Sequence, residues 1–368
     1  MKFYAKIKKK IIWLAHEGNL SGANIALLEY IDILIDEYVF HVILPHDGTM
    51  RKELEHRKCE FTIIHQYGWV GVIPWYKFNL LFKIVGRSLI AVLETLLLVR
   101  KENPILVFTN TQVIFTASIA AKLLNKTHVW WIHEFGEEDF GFSIGFGTKQ
   151  RAYSWMERSS QLIICNSAAV TRKFRTLMPL ANIKKLYQPV SLMAKTSLTS
   201  IKKATFLMFG QVTPSKGHSE VLEACVKLNE QNISVSLHIK GPCENKIYLE
   251  ELLNTIKEHK LEGQVHIETG YFLKEEVMPY YEVLIVASNS EAFGRVIVEA
   301  NKLGLHVIVK NTGGAQELIN ETNGFTYNTT DELIFLLSGK KSMPVVDIKL
   351  NYQEKEEVKK LKKWLTEL

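Results

Sequence analysis

The chain has 368 residues, 47% of them hydrophobic and 23% charged, with a formal net charge of +6. That length leads us to expect two domains, and that composition excludes wholesale disorder. Cys59, Cys165, Cys225 and Cys243 are scattered and form no CxxC pair, which argues against a zinc site or a disulfide scaffold and fits a reducing cytoplasm. No apolar run approaches the ~18 residues of a membrane-spanning helix. The positive charge suits nucleic acid, an anionic substrate or an anionic membrane surface and does not choose among them.

Residues 1–10 carry five lysines, and the apolar run behind them, residues 11–15, is too short for a signal-peptide core. It reads as a first strand behind a basic edge. A polar loop over 16–23, with Gly22, leads into a predicted helix over 24–35 with Ile25, Leu28, Ile31 and Leu34 on one side. This is a βα unit of Rossmann type without G-x-G-x-x-G, so it is weak evidence for dinucleotide binding. Runs at 41–44, 61–64 and 105–109 are further strands with helices between them, an alternation that predicts a parallel sheet.

Residues 67–100 stand apart. Trp69, Trp75, Tyr76, Phe78 and Phe82 alternate with Lys77, Lys83 and Arg87, and a nearly unbroken apolar stretch over 89–99 follows. One reading is a long core helix after an irregular loop. The other is an aromatic and basic face lying in an anionic membrane interface. Residues 127–132 read as a buried strand, and His133-Glu134 follows its end. The loop over 135–147, rich in Gly and Phe with Glu137, Glu138 and Asp139, is long enough to help receive a substrate. A strand over 161–166, a helix over 167–178 and a strand over 184–190 close the first half, and the polar residues 191–203 read as a linker.

The second half repeats the alternation. A strand over 205–210 is followed by a loop with Gln211 and Lys216-Gly217, then by a helix over 218–228. Strands follow at 234–241, 265–270, 283–287 and 306–310. Gly241-Pro242 and Gly270-Tyr271-Phe272 sit at strand ends, where they flank a base or simply make turns. Gly313-Gly314 is expected to open another helix, with Glu317 at the same mouth. The last stretch, 351–368, is helical, with Val358, Leu361 and Leu365 on one stripe. Its lysines read as a solvated face rather than a nucleic-acid surface, and no internal repeat or zinc-finger pattern is present.

The richest stretch is 288–300. It follows an apolar run and reads as strand, polar loop and then helix from Gly294, with Gly304 as the stop. Amides near Phe293, Gly294 and Arg295 lie at the helix start, where anions bind. Glu291 in the loop and Glu299 on the helix can both face the strand's carboxyl end, the ligand-binding side of open α/β sheets.

Glu291-Ala292-Phe293-Gly294-Arg295-Val296, then Glu299 after a seven-residue gap, then Gly313-Gly314-Ala315-Gln316-Glu317, resembles the signature of retaining glycosyltransferase family 4, a GT-B family. The likeness is strong in the C-terminal half and looser before it. It implies two Rossmann-like, doubly wound parallel-sheet domains facing a central cleft: residues 1–190 on the acceptor side, with helix 351–368 packing back on them, and residues 204–345 binding the nucleotide sugar. It also implies a retaining, metal-independent hexosyltransferase with no cofactor beyond its UDP- or GDP-sugar donor.

Roles carried over on that resemblance are these. Glu299 holds the donor at its ribose, and Glu291 holds the sugar hydroxyls. Lys216 neutralises the diphosphate, with the amides of Gly313 and Gly314 beside it. His133 contacts the donor sugar, and Gly22 lets substrate approach the backbone. Tyr271 is a candidate to flank the base by its position at a strand end alone, with a turn or packing role left open. Two positions depart from the pattern: Ser21 stands where a first glycine is expected, and Gln211 where an arginine is expected, so that Arg295 becomes the candidate for the second cation. The implied acceptor is a saccharide or a lipid-linked glycan of bacterial surface polysaccharide synthesis, in the cytoplasm or at the inner face of the plasma membrane. The departures leave room for a non-catalytic partner subunit of a glycan-synthesis complex, and the fold also hosts epimerases and phosphorylases.

Overall fold

The computed structural model describes residues 8–71, 78–145, 148–192, 204–344 and 347–368. It divides into two compact units, Met1–Pro189 with Glu354–Leu368, and Val190–Gln353. In the first unit the alternation gives β1 (Lys9–Leu14), α1 (Gly22–Leu34), β2 (Tyr38–Leu44), α2 (Thr49–His56), β3 (Glu60–Ile63), α3 (Phe78–Glu102), β4 (Leu106–Asn110), α4 (Thr116–Leu123), β5 (Thr127–Ile132), α5 (Glu137–Phe140), α6 (Lys149–Ser159), β6 (Leu162–Cys165), α7 (Ala168–Leu177) and β7 (Ile183–Lys185). All seven strands are parallel, in the order β3-β2-β1-β4-β5-β6-β7.

The unbroken apolar run of β1 is explained by burial on both faces. Ile11 and Trp13 join the layer of α1 and α2, while Ile12 and Leu14 join that of α3 and α4. Trp13 stacks on Phe108 of β4 at 4.6 Å between ring centroids. Helix α1 starts two residues earlier than its apolar periodicity predicts, because Ser21 caps it: the Asn24 N–H donates to Ser21 Oγ at 3.4 Å.

The aromatic and basic segment is only partly a surface. Trp69 is 8% exposed, stacks on Phe115 and Trp130, and donates its indole N–H to the Gln112 carbonyl at 2.6 Å. It therefore belongs to the core and not to an interface; Trp75, Tyr76 and Lys77 lie outside the described residues. Helix α3 is not simply a core helix either. Ile84, Ser88, Ala91, Thr95 and Val99 face inward, while Phe82, Val85, Leu89, Ile90, Leu93 and Leu97 are exposed.

The second unit holds β8 (Ala204–Phe209), α8 (His218–Glu230), β9 (Leu237–Gly241), α9 (Lys246–Glu258), β10 (Val265–Thr269), α10 (Lys274–Val277), β11 (Tyr281–Val286), α11 (Arg295–Lys302), β12 (His306–Lys310), β13 (Gly324–Tyr327) and α12 (Thr330–Leu337). Its six strands are also all parallel, in the order β10-β9-β8-β11-β12-β13. Phe206, Met208, Val283 and Ile285 pack with Val221, Leu222 and Cys225 of α8. Gly313-Gly314 opens only the short 3₁₀ turn Ala315–Leu318, because the Asn320 N–H bonds Asn323 Oδ1 and redirects the chain into β13.

The chain then returns to the first unit as α13 (Glu354–Glu367). Leu361 and Leu365 enter the cluster around Trp13 and Tyr30, and Glu357 Oε2 accepts the Tyr187 N–H at 2.9 Å. Among the described residues no helix is long and apolar enough to cross a membrane. Leu361 is fully buried in this seam. Leu361→Ala is expected to destabilise the first unit by about 2–5 kcal/mol. Urea unfolding followed by tryptophan fluorescence measures it, and an unchanged midpoint would mean that α13 does not hold the unit.

Candidate functional site

In each sheet the strand order reverses beside the first strand of its unit, between β1 and β4 and between β8 and β11. Ligands of open α/β sheets bind outside the carboxyl ends of strands at such points. In the second unit two loops meet there. Gly210 leaves β8 with φ 135°, Gln211 is exposed in the following turn, and Pro214–Lys216 makes a 3₁₀ turn. Gly217 ends that turn at φ 74° and lies against the end of β11; a Cβ there would sit 2.1 Å from the Ala287 carbonyl oxygen. The Asn289 N–H bonds the Ser215 carbonyl at 2.9 Å and ties the loops together.

This approach delivers Lys216 to Glu291. The ammonium lies 2.8 Å from Glu291 Oε2, which also accepts from Ser288 Oγ at 3.1 Å. The Gly314 N–H donates to the Glu291 carbonyl at 2.7 Å, so the glycine turn closes on the same loop. Gly313, at φ 57°, and Gly294, at φ 91°, adopt backbone that favours glycine. Gly294 is the N-cap of α11, and Phe293 is buried beneath, edge-on to Tyr352. The first turn of α11 thus aims its positive pole at this loop.

Glu299 is 7% exposed and lies between two cations. Lys274 Nζ is 2.5 Å from its Oε1, and Arg295 approaches to 3.9 Å along the helix. A buried carboxylate requires such partners. Lys274 is a site residue that sequence reasoning misses; it opens α10 just past a strand end, with no motif to mark it. A further cation, Lys310, pairs with Glu220 at 2.7 Å and Asn289 at 3.0 Å. Tyr271 is 90% exposed.

In the first unit His133 follows β5. Gln188 Nε2 lies 2.5 Å from its Nδ1, and Asn110 Oδ1 lies 2.8 Å from its Nε2. An amide nitrogen only donates, so Nδ1 accepts and Nε2–H donates, which assigns the neutral Nε2–H tautomer to this hydrogen-bond network. The ring stacks on Trp131 at 5.7 Å. Asn110 Nδ2 reaches the Ala23 carbonyl at 3.1 Å, joining His133 to the start of α1, where Gly22 is the first helical residue. Gly22 and His133 are therefore brought together in the first unit, and Lys216, Glu291, Gly313 and Gly314 in the second, with Glu299, Arg295 and Phe293 on the adjoining helix and its cap.

Elsewhere in the first unit His41, Glu60 and Glu102 place possible metal-ligand atoms within 4.8 Å of one another. Lys10 Nζ bonds both carboxylates, at 3.0 and 2.6 Å, and takes the place of a cation there.

With this geometry in view, the fold is GT-B in class: two α/β units, each built on an all-parallel sheet. Residues 194–335 match the family model described as glycosyl transferases group 1. Over nearly its whole length the chain is similar to the crystal structure of Anabaena Alr3699/HepE in complex with UDP and glucose, at 22% identity and TM-score 0.77, covering 98% of this chain and 100% of that one. It is similar to a glycosyltransferase from Rickettsia africae ESF-5 at 17% identity and TM-score 0.74, covering 98% and 99%. It is also similar to the apo form of the lipopolysaccharide outer core galactosyltransferase WaaB at 15% identity and TM-score 0.65, covering 96% and 95%. At these identities the likeness is one of fold. No curated protein matches the chain at a significant level.

Next to His133, burial pushes the Glu134 carboxyl up from 4.5 to about 7, although it accepts from the Gln112 N–H at 2.8 Å and the His133 N–H at 3.1 Å. Between these two pH values the folded chain keeps a proton that the unfolded chain has lost. This group's contribution to stability therefore falls as pH rises through that window. Glu134→Gln removes the titration, so the loss of Tm from about pH 5 to about pH 8 is expected to shrink in the variant. Calorimetry on both proteins checks this, and equal pH slopes would refute the assignment.

Proposed function

We propose that the chain is a retaining, metal-independent glycosyltransferase. It moves a hexosyl group from a UDP- or GDP-linked donor to a saccharide or lipid-linked acceptor of cell-surface polysaccharide synthesis, at the cytoplasmic face of the membrane. The observation that carries this is the Lys216–Glu291 pair at a strand-order reversal, beside the N-terminus of α11 and the buried Glu299. The family match over residues 194–335 falls on the same unit, and HepE, whose fold is similar, has been solved with UDP and with UDP-glucose.

The chemistry assigns a task to each group. The acceptor oxygen bonds to the anomeric carbon as the bond to the diphosphate breaks, and a diphosphate oxygen takes the acceptor's proton on the same face. Negative charge growing on the diphosphate falls on the Lys216 ammonium and on the amides of α11 and the Gly313-Gly314 turn, with Arg295 as the candidate second cation. Glu299, oriented by Lys274 and Arg295, accepts from ribose hydroxyls, and Glu291 accepts from sugar hydroxyls. Tyr271 flanks the base. His133, held by Asn110, Gln188 and Trp131, contacts the sugar and shapes the reacting geometry.

Gln211, in place of the arginine that the resemblance implies, favours a second reading, a non-catalytic subunit that binds its partners in a glycan-synthesis complex. Thermal shift and nucleotide release over a panel of UDP-, GDP-, ADP- and dTDP-sugars separate the two. The enzyme reading expects stabilisation by one donor class and release of its nucleotide. Glu299→Ala is expected to weaken donor binding about tenfold or more, and Lys216→Ala to lower kcat/KM about a hundredfold. Neither a shift nor turnover with any donor would leave the subunit reading standing.

A further inference from the structure

Helices α3 and α4 cover a face of the first sheet, and α4 packs against both α3 and α6, so the three form one layer. The outer surface of this layer carries two features with no role in the proposed sugar transfer. The first is the apolar stripe of α3. Phe82 is 73% and Leu89 66% exposed, and Leu93 and Leu97 continue the line. At 1.5 Å per residue it runs about 22 Å. Lys83 and Arg87 flank one end, Arg100 and Lys101 the other; Glu94, beside the stripe, is paired to Arg87 at 2.7 Å. The second is a cavity of about 390 Å³ between α4 and α6, lined by Lys122, Arg151, Arg158, Gln150, Ser154 and Trp155. Trp155 is fixed by its N–H bond to Ser118 Oγ at 2.9 Å. Leu123, next to Lys122 at the end of α4, is exposed as well.

We infer that this surface docks on an anionic phospholipid membrane, with the α3 stripe at the acyl boundary and a lipid phosphate in the Lys122–Arg151–Arg158 cavity. The charge pattern selects this occupant. An apolar line bordered by cations, beside a three-cation hollow, complements a surface that is apolar inside and negative at its headgroups. A second copy of this chain would instead bring like charges together. Of the segment expected to meet a membrane, Trp69 is buried and takes no part; among the described residues the exposed line runs from Phe82. Docking stands apart from the sugar-transfer reading, because nucleotide release from soluble donors is measured without vesicles.

The test is flotation of the full chain with phosphatidylcholine vesicles, with and without phosphatidylglycerol, at low and high salt. The protein is expected to float with the anionic vesicles and to be released by salt. Leu89→Gln/Leu93→Gln is expected to lower the apparent partition coefficient about tenfold or more. Arg151→Gln/Arg158→Gln is expected to do the same on anionic vesicles only. All four positions are exposed, so thermal melting should match the parent, and two separate pairs guard against one misfolding. Failure of the parent to float with anionic vesicles at low salt overturns the inference. So does flotation of both variants like the parent, or a dimer in sedimentation velocity that the leucine substitutions dissociate without changing flotation.

Discussion

The candidate donor site depends on one close approach. Gly217 lies so near the end of β11 that any side chain would overlap the Ala287 carbonyl. Without that approach the 3₁₀ turn carrying Lys216 would stand off from the loop carrying Glu291. The pair at 2.8 Å would open, and the bond from the Asn289 N–H to Ser215 would be lost with it. Backbone packing thus sets the position of the ammonium, and the flexible lysine stem only completes it. The left-handed φ of Gly217 adds a second reason for glycine, since a side chain there is strained even where space exists.

Charge balance follows from burial. Lys216 faces Glu291, Lys274 and Arg295 face Glu299, and Lys310 faces Glu220. The carboxylates, largely withdrawn from water, are tolerated because they are paired, and removing a partner leaves their desolvation uncompensated, while Lys216 itself stays partly solvated. On the proposed function an arriving diphosphate competes with Glu291 for Lys216. The displaced carboxylate then needs new donors, which sugar hydroxyls supply. The same groups that compensate one another in the free protein would divide between phosphate and sugar in the complex. His133 behaves differently: both ring nitrogens are engaged by fixed amides, so its surroundings hold one tautomer and one orientation.

The two parallel sheets were legible because strands buried on both faces read as unbroken apolar runs, as in Ile11–Leu14 and Val283–Val286. The loop-to-helix element at Glu291–Glu299 was legible from its glycine and its periodicity. What stayed hidden is tertiary. Nothing local marks Lys274 as the partner of Glu299, because the contact joins α10 to α11 across 25 positions of sequence. The grip of Asn110 and Gln188 on His133 joins the ends of β4 and β5 to the segment past β7 and has no sequence period. The start of α1 was missed by two residues because its first turn is set by the Ser21 cap, while apolar periodicity reports only the packed turns.

Helix α3 shows where periodicity fails in a more instructive way. Apolar spacing tells which residues share a face and is silent on which face is buried when both are apolar. A surface helix ordinarily turns its large apolar side chains inward. Here the inward face is Ile84, Ser88, Ala91, Thr95 and Val99, with Leu96 and Leu98 half-buried at its edge, and the outward face carries Phe82, Leu89, Leu93 and Leu97. The small residues at the centre of this face, Ser88, Ala91 and Thr95, let α3 settle closely on α4. The outer leucines add nothing to that seam, and a long exposed apolar line invites association. Among the described residues, packing accounts for the inward face of α3 and gives no reason for the outer leucines, whereas docking on lipid, as inferred above, would cover them.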